Sequence, residues 1–233
     1  MSEASLARIH ASVEAYYSAT VEAFGATPRG VDWTCAATQQ LRFVQLLRHC
    51  DKTSPASIND LGCGYGALLA FCRERWPAWP VDYLGIDLSD AMIRAARSRW
   101  PEQAGVRFVH GTGCPRVADH SIASGIFNVC GAIERADWED FIRATLRELK
   151  ASSRRGFAVN LMAELAPGAT GPRELYRTSP TPWVAFCEDQ LGLRAVVLRD
   201  YGLREFTLWV ACDNAEARPF EQGGERRRSG LLD

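Results

Sequence analysis

Lysine is nearly missing from this chain of 233 residues. Of 27 basic residues only Lys52 and Lys150 are lysines, and neither stands in a catalytic context. That excludes a P-loop phosphate cradle, Schiff-base chemistry and a Tyr-Lys dehydrogenase pair. Net charge is missing as well: a formal −1 leaves no basic field to steer the chain onto nucleic acid or an anionic membrane. The basic triplet at 226–228 reads as a solubilising end. No run approaches the roughly 20 apolar residues of a spanning helix. The opening "MSEASLARIHASVEAYY" has no signal-peptide apolar core, so the expected address is the cytoplasm. The eight cysteines form no C-x-x-C pair and no zinc spacing with histidine, and are expected as reduced core thiols with no metal site. What is present is 47% hydrophobic residues, enough for one globular domain with a full core.

Periodicity then divides the chain. Residues 2–24 and 34–50 are predicted helices, joined by the turn cluster "GATPRG", and the second carries Leu41, Val44 and Leu47 at helical spacing. Beyond "KTSPAS" short apolar runs alternate with helices. Strands are predicted at 57–61, 81–87, 106–110, 121–128 and 156–162, and helices at 67–76, 89–100 and 137–150. This alternation predicts a parallel sheet covered on both faces. Two further strands, 195–199 and 206–212, flank a short glycine-containing connection and predict an antiparallel pair at the sheet's edge. The expected organisation is a helical cap over 1–52, a core over 53–213 and a polar, disordered tail over 214–233.

The stretch "INDLGCGYGAL" (58–68) follows the first strand and opens a helix. Glycines there let the backbone turn sharply and approach a ligand, while the helix start offers free N–H groups. A nucleotide-like ligand across the strand ends is expected. "GCGYGA" fits the dinucleotide pattern G-x-G-x-x-A, so NAD competes, and with it an oxidoreductase. Asp60 weighs against it. A carboxylate beside a pyrophosphate costs binding through like-charge repulsion, whereas beside the ammonium and sulfonium of S-adenosylmethionine it helps. Asp87 ends the second strand in "YLGIDLS", where a carboxylate accepts ribose hydroxyls of either ligand.

"NDLGCGYGAL", "YLGIDLSDAMIRAA" and "FVHGTG", in that order and spacing, resemble the first three motifs of the class I S-adenosylmethionine-dependent methyltransferases. The resemblance covers about residues 53–212. It implies a three-layer, Rossmann-like α/β fold with a seven-stranded, mostly parallel sheet of order 3-2-1-4-5-7-6, here under an N-terminal helical cap. It further implies that Asp60 holds the methionine ammonium and that the Gly62 and Gly64 backbone lies against the methionine part. Asp87 would grip the ribose and Leu88 and Met92 sandwich the adenine. Thr112 would reach the adenine edge, and Ser124 and Gly125 would line the sulfonium. A rival is a non-catalytic S-adenosylmethionine-binding module. For Met92, core packing stands beside adenine contact. On 34–50, Gln39 and Arg42 lie one turn apart. Arg42 either pairs with the methionine carboxylate or belongs, with Gln39, Gln45 and His49, to a solvated stripe. Tyr16, Tyr17 and Trp33 form either an aromatic lid or interhelix packing.

Missing motifs narrow the methyl acceptor. "SGIFNV" after the fourth strand lacks the two prolines of base amino-methylating enzymes, the only Pro/Cys pair is reversed at Cys114-Pro115, and Asp119 has no partner aspartate at the end of strand five for a metal. A small-molecule acceptor remains, with no nucleic acid or membrane partner expected. Methyl transfer is an in-line displacement, so alignment dominates and a base is needed only for an acceptor that must lose a proton. The candidate bases are Tyr16, Tyr17, His110 and His120. The long, proline-rich stretch 163–183 offers Arg173, Tyr176 and Trp183 as substrate contacts.

Overall fold

Helix α1 (Glu3–Phe24) opens the computed structural model, which describes residues 1–33 and 35–212. The tail expected over 214–233 lies outside the described residues. Ser2 caps α1 through its hydroxyl, which accepts the Ser5 N–H, and Gly25 ends it at φ 67°. A short turn, Pro28–Val31, leads to α2 (Ala36–Leu46). Then the alternation begins: β1 (Ala56–Leu61), α3 (Ala67–Arg75), β2 (Val81–Asp87), α4 (Asp90–Arg99), β3 (Val106–His110), β4 (Ala118–Ala123), α5 (Arg135–Ala151) and β5 (Ser153–Ala163). A two-residue strand β6 (Arg177–Thr178), α6 (Thr181–Ala185), β7 (Ala195–Leu198) and β8 (Glu205–Ala211) complete it.

The sheet runs β3-β2-β1-β4-β5-β8-β7, with β6 paired to β5 beyond this path. This is the order expected, with the last two strands renumbered by the short β6. β8 is antiparallel to β5 and to β7. The one displaced strand is β4. It ends at Ala123, not at 128, because Gly125 takes φ 80° and turns the chain out of the sheet.

Strand alternation sorts side chains to two cores. On one face Leu61, Leu84, Ile86, Phe157, Val159, Phe206 and Leu208 pack against α1 and α5, through Ile9, Val13, Trp138, Phe141, Ile142 and Leu146. On the other, Ile58, Tyr83, Phe108 and Ala158 pack against α2, α3 and α4. The result is three layers, with both predicted N-terminal helices recruited into them. The stripe reading of α2 fails here: Gln39, Arg42 and Gln45 are buried, because α2 lies against β5 and β8. Of the cysteines, Cys50, Cys63, Cys72 and Cys187 are buried thiols.

Candidate active site

The loop after β1 is tied to the end of β2: Gly62 and Cys63 both donate their N–H to the Ile86 carbonyl. Gly62 and Gly64 adopt φ 76° and 54°, a region that favours glycine. A Cβ on Gly62 would lie 2.2 Å from Ile126, and one on Gly64 2.9 Å from Val31. The bare backbone therefore admits neighbouring side chains as well as a ligand. Asp87, at the tip of β2, accepts the Gly64 N–H at 2.8 Å and the Ser89 N–H at 2.9 Å. Ser89 in turn caps α4 by accepting the Met92 N–H. One carboxylate thus braces both loops that face the ligand space.

Asp60 is 1% exposed. One of its oxygens accepts the Tyr83 hydroxyl at 2.5 Å; the other, Oδ1, is buried without a partner among the described residues. Burial pushes its carboxyl up to about 7, against the lowering effect of Tyr83 and with a smaller push from Asp87. Asp87 is likewise raised by burial, to about 6, while the N–H groups of Ser89 and Gly64 hold it down. A cationic group beside Oδ1 would satisfy the orphaned oxygen and restore the charge.

These loops open into one cavity of about 510 Å³ over the carboxyl ends of the strands. Asp60, Gly62, Gly64, Asp87, Leu88, Met92, Thr112, Ser124 and Gly125 all line it, and from the N-terminal segment so do Trp33, Gln39 and Arg42. Met92 is also 1% exposed on its helix, so it is a buried residue at the cavity wall. Arg42 forms a buried ion pair with Glu205 through Nε and Nη2, and its guanidinium stacks 3.5 Å over the Trp33 ring. Its Nη1 is buried without a partner among the described residues.

Of the proposed bases only Tyr17 lines the cavity; burial raises its hydroxyl well above the usual phenol range. Tyr16, stacked edge-on against it, points its hydroxyl to Asp32 on the exposed side, where burial and that carboxylate push it up to about 12. His110 lies outside the lining, with Nε2 on the Leu88 carbonyl. His120 sits in mid-strand beside Ile58 and Gly156, and burial holds it down to about 4. The substrate candidates also fall outside. Tyr176 and Trp183 are core residues, the first bonded to Glu139 and the second to Thr178, and Arg173 is exposed. The chain after β5 turns back into the molecule there, and only Leu175 reaches the cavity.

Several lining residues escaped the sequence reading. His10 and Val13 share a helical face with Tyr17, a spacing legible in α1; His10 meets Phe141 edge-on, and burial lowers its basicity. Asn128, Met162, Leu203 and Glu205 come from strand ends and turns that carry no motif.

A mostly parallel, Rossmann-like sheet with a carboxylate-lined cavity at its strand ends defines a nucleotide-cofactor protein. Residues 58–152 match the family described as "Methyltransferase domain". The Mycobacterium tuberculosis protein named "Putative methyltransferase Rv1506c" is 40% identical over 164 residues, covering 70% of this chain and 98% of that protein. The trans-aconitate 2-methyltransferase of Rhodopseudomonas palustris HaA2 is 38% identical over 80 residues, only 31% of this chain and 30% of the enzyme. Among solved structures, magnesium protoporphyrin IX methyltransferase from Synechocystis PCC 6803 with bound SAH superposes with TM-score 0.58 at 13% identity, covering 75% and 84% of the two chains. The mitomycin 7-O-methyltransferase MmcR gives 0.57 at 15% identity, covering 75% and 54%. The chain belongs to the class I S-adenosylmethionine-dependent methyltransferases. The dinucleotide reading is thereby set aside.

Proposed function

We propose that this enzyme methylates a small molecule held in the same cavity as the cofactor. The observation that carries the reading is that α1 closes over the strand ends, so the motif residues and the side chains of α1 face each other across one space. A volume of about 510 Å³ suits small ligands.

S-adenosylmethionine supplies a methyl group activated on a sulfonium. The chain's own residues bind, orient and exclude water. In this reading Asp60 Oδ1 accepts the ammonium, Arg42 Nη1 meets the methionine carboxylate with Gln39 beside it, and Asp87 accepts the ribose hydroxyls. Leu88 and Met92 pack on the adenine and Thr112 meets its edge. Ser124 and Gly125 line the space where sulfur and acceptor meet. His10, Tyr17 and Asn128 face the acceptor, and the 1–52 segment acts as cap. Aligning the acceptor in a space closed to water supplies most of the acceleration, since no covalent enzyme intermediate is needed.

The test is incubation of the full chain with methyl-labelled S-adenosylmethionine and fractionated small-molecule extract. Label is expected in a low-molecular-weight product and not in protein or nucleic acid. Label appearing only in a macromolecular fraction refutes the small-molecule reading.

A further inference from the structure

Glu205 is missing from every motif of this chain, yet it sits 6% exposed at the start of β8 with three polar partners. Its Oε1 accepts Arg42 Nε at 2.8 Å and the Tyr201 hydroxyl at 3.2 Å. Its Oε2 accepts Arg42 Nη2 and, at 3.2 Å, Asn160 Nδ2. Asn160 reaches the other way as well: its Oδ1 accepts the Gly125 N–H at 2.7 Å. Tyr201 is steadied by Thr207 at 3.0 Å. A continuous buried chain therefore runs from the turn after β4, through β5 and β8, to α2.

A buried ion pair of this kind is weak as a source of stability, because taking two charges out of water offsets their attraction. Its geometry does something else. The fork of Arg42 is held on one edge by Glu205 and on one face by Trp33. The remaining nitrogen, Nη1, is buried without a partner among the described residues, beside the backbone of Gly125: a Cβ there would come within 3.0 Å of it. Two of the guanidinium's three nitrogens are spent on orientation, and the third is left on a side chain that lines the cavity.

We propose that Glu205 is a positioning residue that aims Arg42 Nη1 at the carboxylate of the cofactor's amino-acid end. The inference rests on the reading of Arg42 given above, and the two fail separately in the following experiment. The full chain is titrated calorimetrically with S-adenosylhomocysteine and with 5′-methylthioadenosine, which keeps the adenosine and thioether but lacks the amino and carboxylate groups. The preference for the first ligand over the second is the readout. Arg42→Met should lower the preference by roughly tenfold or more, a lost charge-assisted contact, and leave 5′-methylthioadenosine binding within about twofold. Glu205→Gln should lower it by a similar factor and add nothing in the Arg42→Met background, the signature of one residue acting through another. The double variant Arg42→Met/Glu205→Met replaces the pair by apolar side chains of similar size. It should melt near the parent and still lack the preference.

If Arg42→Met keeps the full preference, the reading of Arg42 is wrong and the inference falls with it. If Arg42→Met loses the preference but Glu205→Gln keeps it, or weakens both ligands equally, only the role of Glu205 is wrong. Tyr201→Phe removes one hydrogen bond on Glu205 and spares the ion pair, so it should lower the preference by about two- to fivefold. An unchanged preference there overturns the inference even where Glu205→Gln does not fold.

Discussion

Asp60 Oδ1 has no partner among the described residues, and burial has raised its carboxyl to about 7. The sign of the consequence is set by that direction. Below about 7 the folded protein holds Asp60 protonated, and only the ionised form attracts an ammonium. Affinity for S-adenosylhomocysteine should therefore rise between pH 5.5 and 8, and Asp60→Asn should bind more weakly with a flattened profile, as calorimetry at several pH values would reveal. The same raised carboxyl stabilises the ligand-free fold at low pH, a contribution lost as pH rises through 7. The melting temperature of Asp60→Asn minus that of the parent should thus increase from pH 5 to 8. Asp87 behaves differently because it also braces two loops. Asp87→Ala should cost about 1.5–3 kcal/mol of affinity for S-adenosylhomocysteine and as much for 5′-methylthioadenosine, since both carry the ribose, together with a fall in melting temperature. An equal loss on both ligands is what separates it from Arg42. Both aspartates were legible from type and position in the sequence. The vacancy at Oδ1 was not, because it depends on the Tyr83 hydroxyl occupying the other oxygen from a different strand.

Helix α1 is more than a cover. Ile9 and Val13 are buried in the same core as Trp138 and Phe141, Arg8 pairs with Asp137 on α5, and Ser18 meets Ser89 at the start of α4. Burying each such aliphatic side chain is worth about 1.5–3 kcal/mol. Deleting residues 1–30 should therefore lower the melting temperature by several degrees as well as abolish methyl transfer, measured by thermal denaturation and label incorporation. We expect the helix to tighten on the ligand. Hydrogen exchange over residues 10–45 should slow on saturation with S-adenosylhomocysteine, and unchanged exchange would leave α1 as static packing. The helical character of this segment was readable from its periodicity, and so was the shared face of His10, Val13 and Tyr17. Its direction across the strand ends was not, because it is chosen by contacts with α4 and α5, far along the chain.

In the proposed reading the whole molecule acts as one container for cofactor and acceptor. A ligand that binds only the folded state raises its stability by about 2.7 kcal/mol at a hundredfold excess over Kd. S-adenosylhomocysteine should accordingly raise the melting temperature in a concentration-dependent way, while NAD at the same concentrations should not. A shift with NAD alone would contradict the assignment of the Asp60 pocket. No described helix is long and apolar enough to cross a membrane.

The alternation of strands and helices, the glycine turn and the two carboxylates at strand ends were all readable in the linear chain, because each rests on local chemistry: period-two and helical spacing, a backbone that favours glycine, a charge at a fixed offset. The order of the strands in the sheet came only from the family resemblance. Tertiary structure alone decided which candidates meet. His120 and Trp183 looked available in one dimension and are buried away from the cavity, since strand register and the turn back after β5 carry them into the core. Asn160 looked like an ordinary strand residue and Glu205 like part of the connection before the last strand. They share a face of the sheet with Asp60, and Glu205 meets Arg42 across a sequence separation of 163. Pairing across that distance depends on how α2 packs over β5 and β8, and no local pattern encodes it.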